Sequence, residues 1–344
     1  MQQISKNILA KWMPRKKQYN NFASMFRKHF KMSPKEYRQL IVGLSNTIEQ
    51  QMCNKEWKDI KYDHIPSVAF KKYRKAFYNN DSARFIKFLE AVEKGEKKIH
   101  AGAIFPHDII SPLITVNYEV PNVSEEEKKA IDAQWKNLPN YLEKSKERIL
   151  PVCDVSGSMS SANAGLPMKI SVALGLYLSE RNTSIFKDAF ISFSGNPKME
   201  YLKGTVSQRA YQLEHAHWDG NTDIEAVFQL ILRSAKKDEV SENEMPTTIL
   251  IISDMEFDSC GSITNYDNIV KMYKIAGYNI PKLVFWNVNG REGNVPVSKK
   301  TKNVALISGA SPAIIESVLT GETVTPEKIM LRVLNSERYS EIKL

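Results

Sequence analysis

The chain has 344 residues, 42% of them hydrophobic, and it carries 48 Lys and Arg against 39 Asp and Glu. Such a length accommodates two domains, each with its own core. No apolar run approaches the roughly 18 to 20 residues of a membrane-spanning helix, and residues 1–6 lack the apolar core of a secretory signal. The three cysteines are too far apart for a zinc knuckle or a disulfide framework. We therefore expect an intracellular, cytoplasmic protein.

The positive charge is concentrated in the N-terminal part of the chain. Residues 1–100 contain 22 Lys and Arg against 9 Asp and Glu, a net charge of +13, and the remainder carries −4. Basic residues in Arg15–Lys17 and Lys71–Lys75 alternate with aromatic residues such as Tyr73 and Phe77. This mixture is typical of proteins that hold phosphates and stack on bases, which predicts RNA binding. The more common interpretation is a helical core built from the aromatic residues, with a solvated basic face.

Residues 1–110 predict a basic α-helical domain. Ser33-Pro34-Lys35-Glu36 combines an N-cap serine, a proline at the first helical position and a glutamate at the third. We expect a helix that begins at Pro34 and runs toward Cys53. A further helix is predicted over Ala83–Val92, where apolar positions recur at helical spacing, and its end is expected near Gly95.

Residues 111–147 predict a connector, because several prolines interrupt the chain from Pro106 onward. Within it, Leu113–Val120 has the composition of a strand. Ser124-Glu-Glu-Glu127 is a capping box, so we expect a helix that carries Ile131 and Trp135 and ends before Pro139.

From residue 148 to 344 the pattern changes to alternating strands and helices. Strand-length apolar runs are found at 149–153, 189–193, 249–252, 283–286 and 304–307, and helical patterns at 166–181, 222–237, 264–277 and 311–319. Near-continuous apolar strands separated by helices are typical of an α/β fold with a parallel sheet covered on both faces. We therefore predict a doubly wound parallel sheet, with a ligand site at the carboxyl ends of its strands.

Oxygen-bearing side chains follow three of these predicted elements. Asp154, Ser156 and Ser158 come directly after the first strand, Thr222 precedes a helix, and Asp254 follows the run 249–252. A carboxylate, hydroxyl groups and waters are ligands that Mg2+ or Mn2+ prefers. The alternatives are structural: a polar turn that caps the next helix for the serines, an N-cap for Thr222, and a strand-end turn for Asp254.

The run Asp154-Val-Ser-Gly-Ser-Met159 resembles the metal-ion-dependent adhesion site of von Willebrand factor A domains, and the resemblance covers the chain from about residue 145 to its end. It implies that Asp154, Ser156 and Ser158 are first-loop ligands of a divalent cation, Thr222 the second-loop ligand and Asp254 the third. The residues of this motif are similar to those of Ro-type RNA-binding proteins and of an uncharacterised plant, fungal and large-virus family. The latter resemblance extends upstream through Ser33–Arg38, Glu49–Cys53 and Gly102–Asp108, whereas the chain is too short for the helical ring of Ro-type proteins.

These features favour a non-enzymatic binding or assembly module whose cation recruits an acidic group of a partner protein. One alternative is RNA or ribonucleoprotein binding through the basic helical region. Another is a metal-dependent phosphohydrolase, because phosphatases of the haloacid dehalogenase class also place an aspartate after a parallel strand. In that class a second carboxylate would stand where Ser156 is. The chain has no GK[ST] phosphate loop and no HExxH motif, no nucleophile is paired with His107 and Asp108, and His215 and His217 stay unassigned.

Overall fold

The structure is a computed structural model that describes residues 13–15, 20–45, 47–115, 120–143, 145–218, 223–254, 266–289, 304–310, 327, 330–331 and 334–335. The chain divides into two compact units, Met1–Ile99 and His100–Leu344, each of which has its own core. Among the described residues, no helix combines the length and the apolar character needed to cross a membrane.

The N-terminal unit is helical, as predicted. Its described α-helices are α1 (Asn20–His29), α2 (Pro34–Leu44), α3 (Ile48–Cys53) and α4 (Ser67–Glu93). The capping box at α2 forms as expected, because the Ser33 backbone N–H donates to Glu36 Oε2 at 2.8 Å and the Glu36 N–H donates to Ser33 Oγ at 3.2 Å. Helix α2 does not reach Cys53; it ends at Leu44 and the separate helix α3 carries that cysteine.

Aromatic side chains form the core of this unit. Phe70, Phe77 and Phe85 on α4 are almost fully buried and surround Tyr62, with ring centroids 5.1 to 6.5 Å apart. Helix α4 is kinked at Asp81, whose carboxylate accepts a 2.7 Å hydrogen bond from the Tyr62 hydroxyl. The helical spacing of the aromatic residues therefore reflects packing at these positions.

The second unit begins before the predicted boundary at residue 110. Helices α5 (Pro106–Ile110) and α6 (Glu125–Lys136) belong to it, and α6 buries Trp135, whose Nε1–H donates to Glu180 Oε2 at 2.8 Å. Much of the predicted connector 111–147 is thus packed against helices of the second unit. Leu113 lies in a 3-10 turn, and residues 116–119 of the predicted strand lie outside the described residues.

The described sheet has six strands: β1 (Ile149–Cys153), β2 (Ala189–Ser192), β3 (Met199–Tyr201), β4 (Thr248–Ser253), β5 (Lys282–Asn287) and β6 (Val304–Ser308). Their spatial order is β3-β2-β1-β4-β5-β6, and all neighbours are parallel except β3, which runs antiparallel to β2. This is the predicted doubly wound α/β fold. The sequence pattern does not reveal β3, because this edge strand has only three residues and none of them is fully buried.

Helices cover both faces of the sheet. They are α7 (Gly157–Ser161), α8 (Leu166–Arg181), α9 (Val206–Glu214), α10 (Ile224–Lys237) and α11 (Tyr266–Ile275). Cys153 on β1 packs in a core that includes residues of α6, α8 and α9, whereas its neighbour Val152 packs in another with residues of α10 and α11. Successive strand residues point to opposite faces, so continuous apolar strands are required here. The helix predicted at 311–319 lies outside the described residues.

Candidate functional site

The strand order reverses at β1, because β2 lies on one side of it and β4 on the other. In open α/β sheets, ligands bind in the crevice outside the carboxyl ends of the strands at such a switch point. Asp154 directly follows β1 and Asp254 directly follows β4. The fold therefore brings two of the residues singled out in the sequence to the crevice at this switch point.

Asp154 is held in a defined orientation at the end of β1. Its backbone N–H donates to the Ile252 carbonyl at 3.0 Å, which continues the pairing of β1 with β4. Its Oδ1 accepts a hydrogen bond from the Ser156 N–H at 2.9 Å, and its Oδ2 accepts one from the Ser253 hydroxyl at 2.7 Å. With 4% of its surface exposed, the carboxylate is part of the interior edge of the sheet.

The two serines of the first loop lie side by side. The Ser156 and Ser158 hydroxyl oxygens are 3.0 Å apart, and both side chains are half-buried. Ser156 is the N-cap residue of α7, so the turn that follows β1 determines the position of both hydroxyls. Their separation is that of a hydrogen bond, and it is also short enough for one cation to contact both oxygens.

The third loop contributes a second buried carboxylate. Asp254 is 1% exposed. Burial raises the pKa of Asp154, as does the negative charge of Asp254, whereas the hydrogen bonds from Ser156 and Ser253 act in the opposite direction. Two carboxylates that are buried at the same edge of the sheet repel each other, and a bound cation would relieve that repulsion.

The structure describes only part of the second loop, and Thr222 lies outside the described residues. Its neighbour Asp223 caps α10, with Oδ1 accepting from the Ala226 N–H at 3.0 Å. The Asp223 N–H donates to the Ser194 carbonyl at 3.4 Å, and Phe193, next to Ser194, donates its N–H to the Cys153 carbonyl at 3.0 Å. Asp223 therefore begins its helix beside the carboxyl end of β1.

Ser253 is the site residue that sequence reasoning missed. It is buried, and its hydroxyl donates to the Asp154 carboxylate across the two strands. The available signal was a polar residue at the end of an otherwise apolar strand, directly before Asp254. Only the pairing of β1 with β4 shows which carboxylate this hydroxyl meets.

The donor atoms decide which cation would fit. Asp154, Ser156, Ser158 and Asp254 offer only oxygen, which suits Mg2+ or Mn2+. Within the described ranges, His, Cys, Asp and Glu side chains do not gather in groups of three or more that could hold a metal. The proposed site has only two side chains of these types, the carboxylates of Asp154 and Asp254, and its other ligands are hydroxyls. These oxygen ligands fit a hard cation.

The histidines noted in the sequence have other surroundings. His107 stacks on Phe105, with ring centroids 5.5 Å apart. His215 stacks on Tyr211 at 4.0 Å, and its Nδ1 lies 3.0 Å from the Tyr211 carbonyl oxygen. These contacts give His107 and His215 structural roles in their own segments.

The fold is that of an α/β protein with a doubly wound, mostly parallel sheet, preceded in the chain by a smaller helical unit. The chain belongs to the family described as domain of unknown function DUF7788, whose model matches residues 148–342. A second domain of unknown function, DUF2828, matches residues 2–147.

The chain is similar to an uncharacterised protein of Acanthamoeba polyphaga mimivirus, with 25% identity over 96% of this chain and 61% of that protein. It thus spans about three fifths of the length of this relative, and the similarity agrees with the resemblance to an uncharacterised family that includes large-virus proteins. Among solved structures, it is similar to the Ro (RSR) protein of Deinococcus radiodurans, with 16% identity, 92% coverage of this chain, 73% coverage of that chain and a TM-score of 0.46.

Proposed function

We propose that this protein is a metal-dependent binding module in which a divalent cation recruits an acidic group of a partner protein. Asp154, Ser156, Ser158, Thr222 and Asp254 would hold the cation, which is Mg2+ or Mn2+. The observation that carries the proposal is the pair of buried carboxylates, Asp154 and Asp254, beside two adjacent hydroxyls at the switch point of the sheet. The cation would supply a Lewis-acidic centre to which one further oxygen ligand can bind.

The charge balance of the site favours an anionic ligand. Two carboxylates at most neutralise a divalent cation, and the hydroxyl ligands add no negative charge. A carboxylate from a partner is then attracted to the cation without strong repulsion from the ligands. Most of the binding energy would come from the protein surface around the cation, because exchanging a water for a carboxylate contributes little specificity.

The phosphohydrolase alternative has less support. Such an enzyme needs a nucleophile or a general base beside the metal. Both carboxylate oxygens of Asp154 already accept hydrogen bonds, from Ser156 and from Ser253, and this favours an anchoring role for the residue that would be the nucleophile. The protein is therefore expected not to be an enzyme.

The RNA-binding alternative also has less support from the aromatic residues of the basic region. Phe77 is fully buried in the core of its unit, and the Tyr73 hydroxyl donates to Glu49 Oε1 at 3.1 Å. Neither ring forms an exposed platform for a base. Among the described residues of this region, Phe22, Phe26 and Phe30 are exposed, and a nucleic acid could reach them.

Water-proton relaxation of Mn2+ tests the proposal directly. We expect the wild-type protein to enhance relaxation, because a bound Mn2+ keeps exchangeable water, and we expect Asp254→Asn to abolish the effect. A short peptide rich in glutamate should lower the enhancement by displacing water, whereas the same peptide with glutamine should not. The control variant is Asp238→Asn, which changes the charge equally at an exposed position after α10. Unchanged Mn2+ binding in Asp254→Asn would contradict the ligand assignment, and hydrolysis of a phosphate ester that depends on Asp254 would favour the enzyme.

A further inference from the structure

A surface depression of about 870 Å3 lies in the N-terminal unit, far along the chain from the predicted metal ligands. Two 3-10 turns, Trp57–Asp59 and Tyr62–His64, form one wall, and the second half of α4 forms the other. Its volume is within the range of about 300 to 1,000 Å3 that small-molecule sites occupy. The depression is therefore large enough to hold a ligand of modest size.

The lining of the depression is strongly basic. It includes five Lys and Arg residues against two Asp residues, a net charge of +3 with histidine neutral. Lys97 is paired with Asp63 at 2.9 Å. In contrast, Lys58, Lys61 and Lys87 are exposed, and none of them forms an ion pair with another described residue. Three ammonium groups around one concave surface are thus left to attract an anion.

The walls that carry these lysines are fixed to each other by one side chain. Arg84 on α4 donates from Nη1 to the Ile60 carbonyl at 2.7 Å, from Nη2 to the Trp57 carbonyl, and from Nε to Asp81 Oδ2 at 2.7 Å. Its guanidinium also lies over the Tyr62 ring, 4.7 Å from the centroid. Because both turns are tied to α4 in this way, the lysines project from a preorganised surface, which lowers the cost of binding.

The large aromatic rings that line the depression expose little surface for stacking on a base. Tyr62 and Phe88 are 4% and 8% exposed and pack against each other, whereas the smaller His64 ring in the lining is exposed. Recognition would therefore depend mainly on charge. Lysine is a common phosphate ligand, and one phosphate group carries about −1.5 to −2 charges near neutral pH.

We propose that this depression binds phosphate groups, with Lys58, Lys61 and Lys87 as the principal ligands. With Asp81, which pairs with Arg84, the lining keeps a surplus of two positive charges, and this matches a ligand that presents two or more phosphates close together. Such phosphates are found both on a free polyphosphate tail and along a nucleic-acid strand. The site is independent of the metal site, because no residue is shared between them.

The test measures binding to the full-length protein by titration calorimetry at low salt, with a chelator present so that the metal site makes no contribution. The probes are inorganic tripolyphosphate and a ten-nucleotide oligouridylate. The variant carries Lys58→Gln, Lys61→Gln and Lys87→Gln together. The matched control carries Lys28→Gln, Lys35→Gln and Lys75→Gln, which removes the same charge from exposed positions of the same unit that do not line the depression.

We expect the wild-type protein to bind tripolyphosphate, the first variant to bind it roughly tenfold more weakly, and the control to stay within about twofold. Loss confined to tripolyphosphate identifies a free polyphosphate as the ligand, and loss that extends to the RNA identifies the phosphates of a strand. The proposal is overturned if the wild-type protein binds neither probe, or if the two triple variants weaken binding equally. Circular dichroism of both variants confirms that these surface changes leave the fold intact.

Discussion

Replacing Asp154 with asparagine separates the charge of the first-loop carboxylate from its hydrogen bonds. The asparagine amide has nearly the same shape. Its oxygen can accept from the Ser156 N–H, as Oδ1 does now at 2.9 Å, and its NH2 group can donate to the Ser253 hydroxyl, which accepts as well as donates. The substitution therefore removes one negative charge from a buried edge of the sheet and leaves the loop connected.

The change in the free energy of unfolding that we expect from Asp154→Asn follows from the position of Asp154 beside Asp254. Neighbouring strands lie about 4.8 Å apart, and two unit charges about 5 to 6 Å apart repel by about 3 kcal/mol at an effective dielectric constant of about 20. Part of this repulsion is already avoided in the wild-type protein, because burial raises the pKa of Asp154 and favours its neutral form. Without metal, we expect Asp154→Asn to raise the free energy of unfolding by about 1 to 3 kcal/mol.

A bound cation should remove the stability advantage of Asp154→Asn over the wild-type protein. A cation at one hundred times its dissociation constant stabilises a folded protein by about 2.7 kcal/mol. The wild-type protein gains that stabilisation, whereas Asp154→Asn loses a charged ligand and gains little or none. The substitution is thus expected to stabilise the protein in the presence of a chelator and to lose that advantage in the presence of Mg2+.

Urea denaturation followed by circular dichroism measures the free energy of unfolding at neutral pH, once with a chelator and once with excess Mg2+. Asp238→Asn, an exposed change of the same charge, should behave as the wild-type protein does in both conditions. If Asp154→Asn is destabilised without metal, the reasoning about repulsion is wrong. If its stability rises with Mg2+ as much as that of the wild-type protein, Asp154 is not a metal ligand.

Two further predictions concern packing and titration. Gly175→Ala on α8 should lower the free energy of unfolding by about 1 to 3 kcal/mol and weaken Mn2+ binding, because the added Cβ would lie 2.5 Å from Cys153 Sγ, directly before Asp154. In the capping box, the hydrogen bond from the Ser33 N–H lowers the pKa of Glu36 below its usual value of 4.5. Because the pKa of Glu36 is depressed in the folded protein, the stabilisation that the ionised carboxylate gives to the fold is complete above pH 4.5. It is lost as the pH falls through the pKa of the folded state. NMR titration of Glu36 measures this pKa.

Each of these predictions has a matched control. Gly43→Ala, in helix α2, adds the same methyl group where no atom lies within 4 Å, and should be neutral or stabilising by up to about 1 kcal/mol. Equal destabilisation by both alanines would show that the contact with Cys153 is unimportant. Ser33→Pro removes both the N–H that donates to Glu36 and the Ser33 hydroxyl, which both lower the pKa of that carboxylate, and should return this pKa toward 4.5. An unchanged pKa would mean that another group lowers it.

Local signals in the sequence were sufficient to identify most of the elements. Strand β1 begins and ends at the predicted residues 149–153, and α8 covers the predicted residues 166–181, because uninterrupted apolar runs and a long helical pattern are encoded by neighbouring residues. The capping box at Ser33 fixed the start of α2 for the same reason. The run 249–252 located β4, and with it the carboxylate that follows.

The sequence by itself thus determined most of the elements, their α/β alternation and the oxygen-bearing residues at their ends. Only the tertiary structure decided that β1 lies between β2 and β4, that Ser253 donates to Asp154, and that α6 packs against α9 instead of belonging to a connector. The physical reason is the range of the interactions. Capping and periodicity act between residues a few positions apart, whereas Asp154 and Ser253 are 99 positions apart and meet only because β1 and β4 pair.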